Sequence, residues 1–324
     1  MQHTTGDVLI IGGGSAGLSA ALMLGRSRRR VLVVDEGRPR NRFAGHMHGV
    51  LGRDHTSPLD LLAAGRAELA RYDGVQIREG VVTAAAARAD GFTIALGDGS
   101  EHAARRLLVA SGLRDELPEI PGLAEQWGRG AFLCPYCDGW EARDRRVVVL
   151  ATSEANVHQA QLMRQLTSDV VFLGHGVRLS DAARAGLDAR GIPIDTRRVA
   201  AVVADADGRL SGIRLEDGAE LAADVIFVGP QPVPNDDVLR ALGAELADHP
   251  PVGRFATVDP MGRTSVPGLW AAGNVVDGRS SVPYAMSAGS MAGAAINADL
   301  VEEEVRDAVR AASTTAGAPE PANA

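Results

Sequence analysis

Two stretches of this chain, DVLIIGGGSAGLSAALML (Asp7 to Leu24) and RVVVLATSEANVHQAQLM (Arg146 to Met163), read alike: a short apolar strand, a tight turn, then a helix. A strand that passes straight into a helix builds a parallel α/β layer, so two copies predict two nucleotide-binding-type units. The copies differ at the turn. Gly12, Gly14 and Gly17 of the first copy become Ala151, Ser153 and Asn156 in the second.

The length of 324 residues and the 45% hydrophobic content favour two domains over one. The formal charge is -8 and all 33 basic residues are arginine, which excludes lysine Schiff-base chemistry. No basic arm collects phosphates, and the short cluster from Arg26 to Arg30 reads as a solvated helix end, so nucleic acid is not an expected partner. No run is long and apolar enough for a membrane span, and the first strand starts by Asp7 without a leader, which makes the cytoplasm the expected location.

In the first copy, Gly12 permits the turn, Gly14 lets a pyrophosphate approach the backbone, and Gly17 allows close helix packing. A second strand, Arg30 to Val34, ends at Asp35-Glu36, where an acid is expected to accept ribose hydroxyl bonds. Asp35 is the first choice and Glu36 the substitute. The segment Pro39 to Pro58 reads as a loop wrapping the cofactor. Its His46 and His48, with His55, lack a supporting thiolate or carboxylate constellation, so no metal is expected.

Cys134 and Cys137 are the only cysteines, and no second CxxC exists to complete a four-thiolate zinc site. Disulfide exchange is therefore the favoured chemistry over two reduced core thiols. One sulfur can attack while the other resolves the mixed intermediate. Asp138 follows directly and is either an adjustable proton carrier or a turn carboxylate. Pro135 restricts the intervening turn.

The second copy continues with a helical pattern over Glu154 to Leu166 and a strand over Asp169 to Leu173, which sets Gly174 where the first copy has Asp35. The glycine triplet and the ribose acid are lost together. His175, Gly176, Val177 and Arg178 supply no dense basic cluster for a 2'-phosphate, so use of NADPH is disfavoured and a shape-filling domain is the stronger expectation.

The glycine fingerprint, CPYCDG and the late GLWAAGNVVDG (Gly268 to Gly278) together resemble the low-molecular-weight thioredoxin reductase branch of the pyridine-nucleotide-disulfide oxidoreductases, over nearly the whole chain. Within it, CPYCDG and the altered second fingerprint are most similar to the FAD-dependent dithiol oxidases of holomycin, gliotoxin and romidepsin biosynthesis. The resemblance implies FAD on Gly12, Gly14, Gly17 and Asp35. It also implies a second contact at Gly273-Asn274, where Asn274 replaces the usual aspartate and Asp277 is a nearby alternative. Cys137 would lie next to the flavin and Cys134 would meet substrate. Pro283 and Tyr284 fall where thioredoxin reductases carry a different polar flavin contact.

The expected fold is α/β, with two three-layer nucleotide-binding-type domains of the thioredoxin reductase-like class. Gly112 and Leu117 to Leu123 mark a first crossing, and Leu242 to Pro251 the return. This gives an FAD domain of residues 1–113 and 244–310, a central domain of 114–243, and a disordered tail of 311–324. The resemblance implies oxidation of a small natural-product dithiol, with molecular oxygen as acceptor, hydrogen peroxide as product, and a homodimer as the working unit. The alternatives are a disulfide reductase using NADPH or another donor, and a flavin-binding redox sensor.

Overall fold

The computed structural model describes residues 5–250 and 252–316. The chain opens with β1 (Thr5–Ile11), α1 (Ser15–Arg26) and β2 (Val31–Asp35). Val8, Leu9 and Ile10 are buried on both faces of β1, as a continuous apolar run in a parallel sheet requires. Next comes α2 (Pro58–Leu69), started by a proline and capped by the Ser57 hydroxyl, which accepts from the Leu59 N–H. β3 (Val75–Glu79), β4 (Val82–Arg88), β5 (Gly91–Leu96) and β6 (Glu101–Val109) follow. The sheet order is β3-β2-β1-β6-β5-β4. In β5 burial alternates residue by residue, the mark of a strand with one covered face.

β7 (Leu113–Glu116) leaves this sheet and leads to α3 (Leu123–Gln126), β8 (Ala131–Phe132), α4 (Pro135–Asp138), β9 (Val147–Leu150), α5 (Asn156–Met163), β10 (Val170–Leu173), α6 (Asp181–Ala189) and β11 (Ile194–Asp195). β12 (Val199–Ala204), β13 (Leu210–Leu215) and β14 (Glu220–Ala222) form an antiparallel sheet, and β15 (Val225–Val228) completes a parallel one ordered β11-β10-β9-β15-β8. Every residue of β9 and β15 is buried, so VVVL and VIFV form the centre of this second unit.

β16 (Gln231–Pro234) runs back antiparallel to β7, and the two crossings form one ribbon. The next helix, α7 (Asp237–Ala241), already belongs to the first unit: Leu239 packs with Phe92, Leu107 and Val275. The change of core therefore precedes the expected return at residue 244. The pairing of β16 with β7 sets it, and the proline-containing stretch further on forms the hairpin of β17 (Leu246–His249) and β18 (Gly253–Ala256). β19 (Leu269–Ala271) then lies parallel beside β6.

The long α8 (Val282–Ala316) closes the fold against α1. A Cβ at Gly289 would overlap the Ala16 carbonyl, and one at Gly293 would stand 2.8 Å from the Ala20 carbonyl oxygen, so the small residues of SAGSMAGAA let two backbones touch. The helix also corrects the expected tail. Ala311 to Ala316 continue it, because the good helix formers of VEEEVRDAVRAA carry it past residue 310, and residues 317–324 lie outside the described part. Among the described residues no helix is long and apolar enough to cross a membrane. Gly289→Ala is expected to cost about 1–3 kcal/mol through overpacking, read as a lower Tm by scanning calorimetry.

Candidate active site

The turn from β1 into α1 is shaped by packing at two glycines and left open at the third. Gly12 has φ +103°, and a Cβ there would overlap the Ala110 carbonyl; a Cβ at Gly17 would overlap the Gly12 carbonyl. A Cβ at Gly14 meets nothing within 4 Å and would intrude on a cavity of about 820 Å³. Gly14 is also the N-cap of α1 and offers no side-chain acceptor, so the first helical N–H groups remain for an anionic ligand at that cavity.

Asp35 has a second task beyond the one expected from its position. Its Oδ1 accepts from the Gly13 N–H at 2.9 Å and its Oδ2 pairs with Arg66, so the carboxylate clamps the glycine turn to β2 and α2. Glu36 is half exposed, pairs with Arg38 at 3.0 Å, and lines the same cavity as Asp35.

The late glycine-asparagine pair arrives on the opposite wall. Gly273 and Asn274 form a 3-10 turn after β19, and both line the cavity. Asn274 Nδ2 donates to the Asp277 carbonyl at 3.0 Å and to the Ser280 carbonyl at 2.9 Å. An aspartate could make neither bond, which gives the asparagine a local reason: it closes the loop that leads into α8. Asp277 instead accepts from the backbone and side chain of Arg279. Ser281, Val282 and Ala285 line the cavity, whereas Tyr284 is 72% exposed and does not.

The segment between β2 and α2 wraps this space. Arg40 donates to both oxygens of the partly buried Asp115 at 2.8 and 2.7 Å and to the Gly278 carbonyl at 3.2 Å. One guanidinium thus ties the loop to β7 and to the C-terminal contact segment. Sequence reading missed Arg40, because nothing local marks its distant partner.

Cys134 and Cys137 flank the start of α4 and form a disulfide, and both line the large cavity together with Gly14 and Asn274. Cys134 Sγ also accepts from the Cys137 N–H at 3.1 Å. Cys137 borders a second, smaller cavity of about 440 Å³, walled by His48, His55, Tyr136, Trp140 and Glu141. The histidines of the wrapping loop are gathered here: the rings of His46 and His55 lie 4.3 Å apart, and His48 approaches Asp54 at 3.3 Å and Glu141 at 3.5 Å. Asp138 sits behind the pair. Burial, then repulsion from Glu141, pushes its carboxyl up to about 6, with His48 pulling the other way. Glu141 was not singled out in the sequence, although it stands one helical turn after Asp138, and His48 was weighed only with the other loop histidines against a metal site.

The second turn is filled from within. Asn156, 5% exposed, turns its Oδ1 toward the Thr152 and Ser153 N–H groups, which both donate to it at 2.9 Å. They stand at the positions of Gly13 and Gly14, of which the first gives its N–H to Asp35 and the second lines the cavity. The helix is shortened to match: α5 begins at Asn156, two residues later than its pattern predicts, while α1 begins at Ser15. Gly174 donates its N–H to the Asp195 carbonyl at 2.7 Å, and His175 Nδ1 accepts from the Val199 N–H at 2.9 Å. Arg197 is held by Asp195 and Asp217.

A glycine turn, an asparagine-closed loop and a redox disulfide therefore share one cavity. The model of the pyridine nucleotide-disulphide oxidoreductases matches residues 6–289. The chain belongs to that family. "Thioredoxin reductase tcpT" of Claviceps purpurea is 34% identical over 92% of this chain and 95% of its own length. "Thioredoxin reductase sirT" of Leptosphaeria maculans is 33% identical over 90% and 93%. Among solved structures, HlmI superposes with a TM-score of 0.92 at 43% identity, covering 98% of this chain and 99% of that one. An oxidoreductase from Agrobacterium tumefaciens gives 0.86 at 37%, covering 92% and 99%. Family membership makes the protein an FAD oxidoreductase. The open Gly14 and the uncapped start of α1 fit the pyrophosphate, and the cavity falls in the range of roughly 300–1,000 Å³ typical of ligand clefts.

Because the Asp138 carboxyl is raised, its neutral form is the one the fold favours. Its contribution to stability is complete below the unfolded value of 3.8 and is lost as pH rises through about 6. Single-turnover reaction of the disulfide with a small dithiol is expected to show an inflection near that value, removed in Asp138→Asn. Stopped-flow measurement across pH checks this.

Proposed function

We propose that this protein oxidises a small-molecule dithiol to its disulfide and passes the electrons to molecular oxygen. The observation that carries the reading is Asn156, whose side chain fills the second turn from within and takes up its Thr152 and Ser153 N–H groups. A donor that reaches the flavin through the cysteines needs no such turn. Tyr136, which lies between the cysteines and lines the large cavity with Cys134, and the nearby Trp140 are exposed aromatic surfaces that suit a small organic substrate.

In this cycle a substrate thiolate attacks Sγ of Cys134, and the Cys134–Cys137 bond breaks with the electron pair leaving on Cys137. The second substrate thiol then attacks the mixed disulfide, releasing oxidised substrate and a reduced cysteine pair. Asp138 holds or returns the proton at the departing sulfur, and His48 with Glu141 sets its charge. FAD, when bound, supplies the two-electron acceptor that restores the disulfide and delivers the pair to oxygen, giving hydrogen peroxide. Gly12, Gly14 and Gly17 with Asp35 or Glu36 hold one end of the cofactor in this reading, and Gly273-Asn274 the other. The resemblance of CPYCDG and the altered second fingerprint to the dithiol oxidases points to a natural-product dithiol of the holomycin class.

The second reading is a disulfide reductase using NADPH or another donor, favoured by the fungal relatives, both named thioredoxin reductases. Anaerobic visible spectra separate the two. Bleaching of the flavin band by a small organic dithiol but not by NADPH is expected, and rapid bleaching by NADPH would overturn the oxidase reading.

The working unit in this proposal is a homodimer in the cytoplasm. Val301, Val305 and Val309 recur every four residues on the far end of α8 and are 43%, 57% and 62% exposed, an apolar stripe that a second copy would cover. Light scattering is expected to give twice the chain mass, reverting toward the single chain in Val305→Asp.

A further inference from the structure

One polar chain in the second unit has no use in the reaction above. It begins at the Thr152 and Ser153 N–H groups, which donate to Asn156 Oδ1 at 2.9 Å. Asn156 Nδ2 donates to Gln159 Oε1 at 2.6 Å, and Gln159 Nε2 donates to the Leu133 carbonyl oxygen, again at 2.6 Å. Leu133 is the residue before Cys134. The direction of this chain is set at both ends: a peptide N–H only donates and a peptide carbonyl only accepts, so neither side-chain amide can be reversed without losing bonds.

We propose that Asn156 and Gln159 are positioning residues for the redox disulfide, so that the former nucleotide turn now serves as a brace for the dithiol. The span they hold is short. Phe132 is the last residue fixed by the sheet, through β15, and Pro135 opens α4, which leaves only Leu133 and Cys134 between the two anchors. Pinning the Leu133 carbonyl fixes the peptide that carries Cys134, whose Sγ then meets the Cys137 N–H. A braced loop keeps the two sulfurs within bonding range after reduction and so favours re-formation of the disulfide. Asn156 thereby joins the loss of one site to the support of another: the atom that fills the turn and the atom that reaches toward the cysteines belong to the same amide.

The test is the thiol-disulfide equilibrium of the FAD-loaded enzyme with the glutathione couple under anaerobic conditions, read by alkylating the free thiols and weighing the protein. Two glutathione thiols reduce one enzyme disulfide and leave as one glutathione disulfide, so this readout does not depend on the direction of electron flow in the cell or on the identity of the substrate. Asn156→Asp keeps an acceptor for both turn N–H groups but removes the donor to Gln159. Gln159 can then turn its NH2 toward the new carboxylate only by setting its oxygen against the Leu133 carbonyl. Gln159→Leu removes the brace at its other link.

Each variant is expected to shift the equilibrium toward the dithiol by roughly two- to ten-fold, the scale of one buried hydrogen bond. The double variant is expected to shift no further than the larger single effect, because both substitutions break one chain. Asn156 does not line the large cavity, so flavin absorbance should be retained in Asn156→Asp. Equilibria at the wild-type position in both variants, or fully additive shifts in the double variant, would overturn the brace. Should Gln159→Leu fail to fold, Asn156→Asp alone decides.

Discussion

The approach of α8 to α1 is the contact on which the cavity depends. Gly289 lets the last helix rest on the carbonyl of Ala16, the second residue of the helix whose start faces the cavity. This contact, with β19 beside β6, places Gly273 and Asn274 opposite Gly14 although about 260 residues separate them in sequence. Buried backbone-to-backbone contact tolerates no side chain, so the small residues of both helices form one constraint. The wrapping loop is secured afterwards, through Arg40 to Asp115 and Gly278.

The duplicated turns show how one backbone motif diverges by a single side chain. At the first, the missing Cβ of Gly14 leaves amides facing a cavity. At the second, Asn156 offers its own carbonyl to the Thr152 and Ser153 amides, an internal acceptor that a bound phosphate would have to displace. The second unit keeps its sheet because VVVL and VIFV still bury completely, independent of what the turn binds. Fold and ligand capacity are thus separable in this unit: the apolar strands secure one, the turn amides the other.

Around the cysteines the electrostatics come from two stretches that are distant in sequence. Asp138 follows the disulfide, Glu141 lies just beyond α4, and His48 is carried in by the loop between β2 and α2. Burial raises the carboxyl, a neighbouring carboxylate raises it further, and the imidazole opposes both. The group therefore changes charge near physiological pH, where proton exchange with a thiol is easiest.

Several features were legible in the sequence because they are local. A strand, three glycines and a helix are read within 18 residues; CxxC spacing leaves two sulfurs on one turn; the loss at Ala151, Ser153 and Asn156 is visible by comparing the copies. The end of the last helix was misplaced because composition near Ala311 says nothing of the helix already running into it. The return crossing was placed late because it is decided by β16 pairing with β7, a register that no local pattern carries. Sequence by itself determined the two units, the redox pair and the absence of a glycine turn in the second. Only the tertiary structure decided that Asp35 clamps Gly13, that Asn274 closes its loop, that His48 and Glu141 attend Asp138, and that Asn156 reaches through Gln159 to the residue before Cys134. The physical reason is common to all four: each is a hydrogen bond or charge contact whose partners are set by how elements pack.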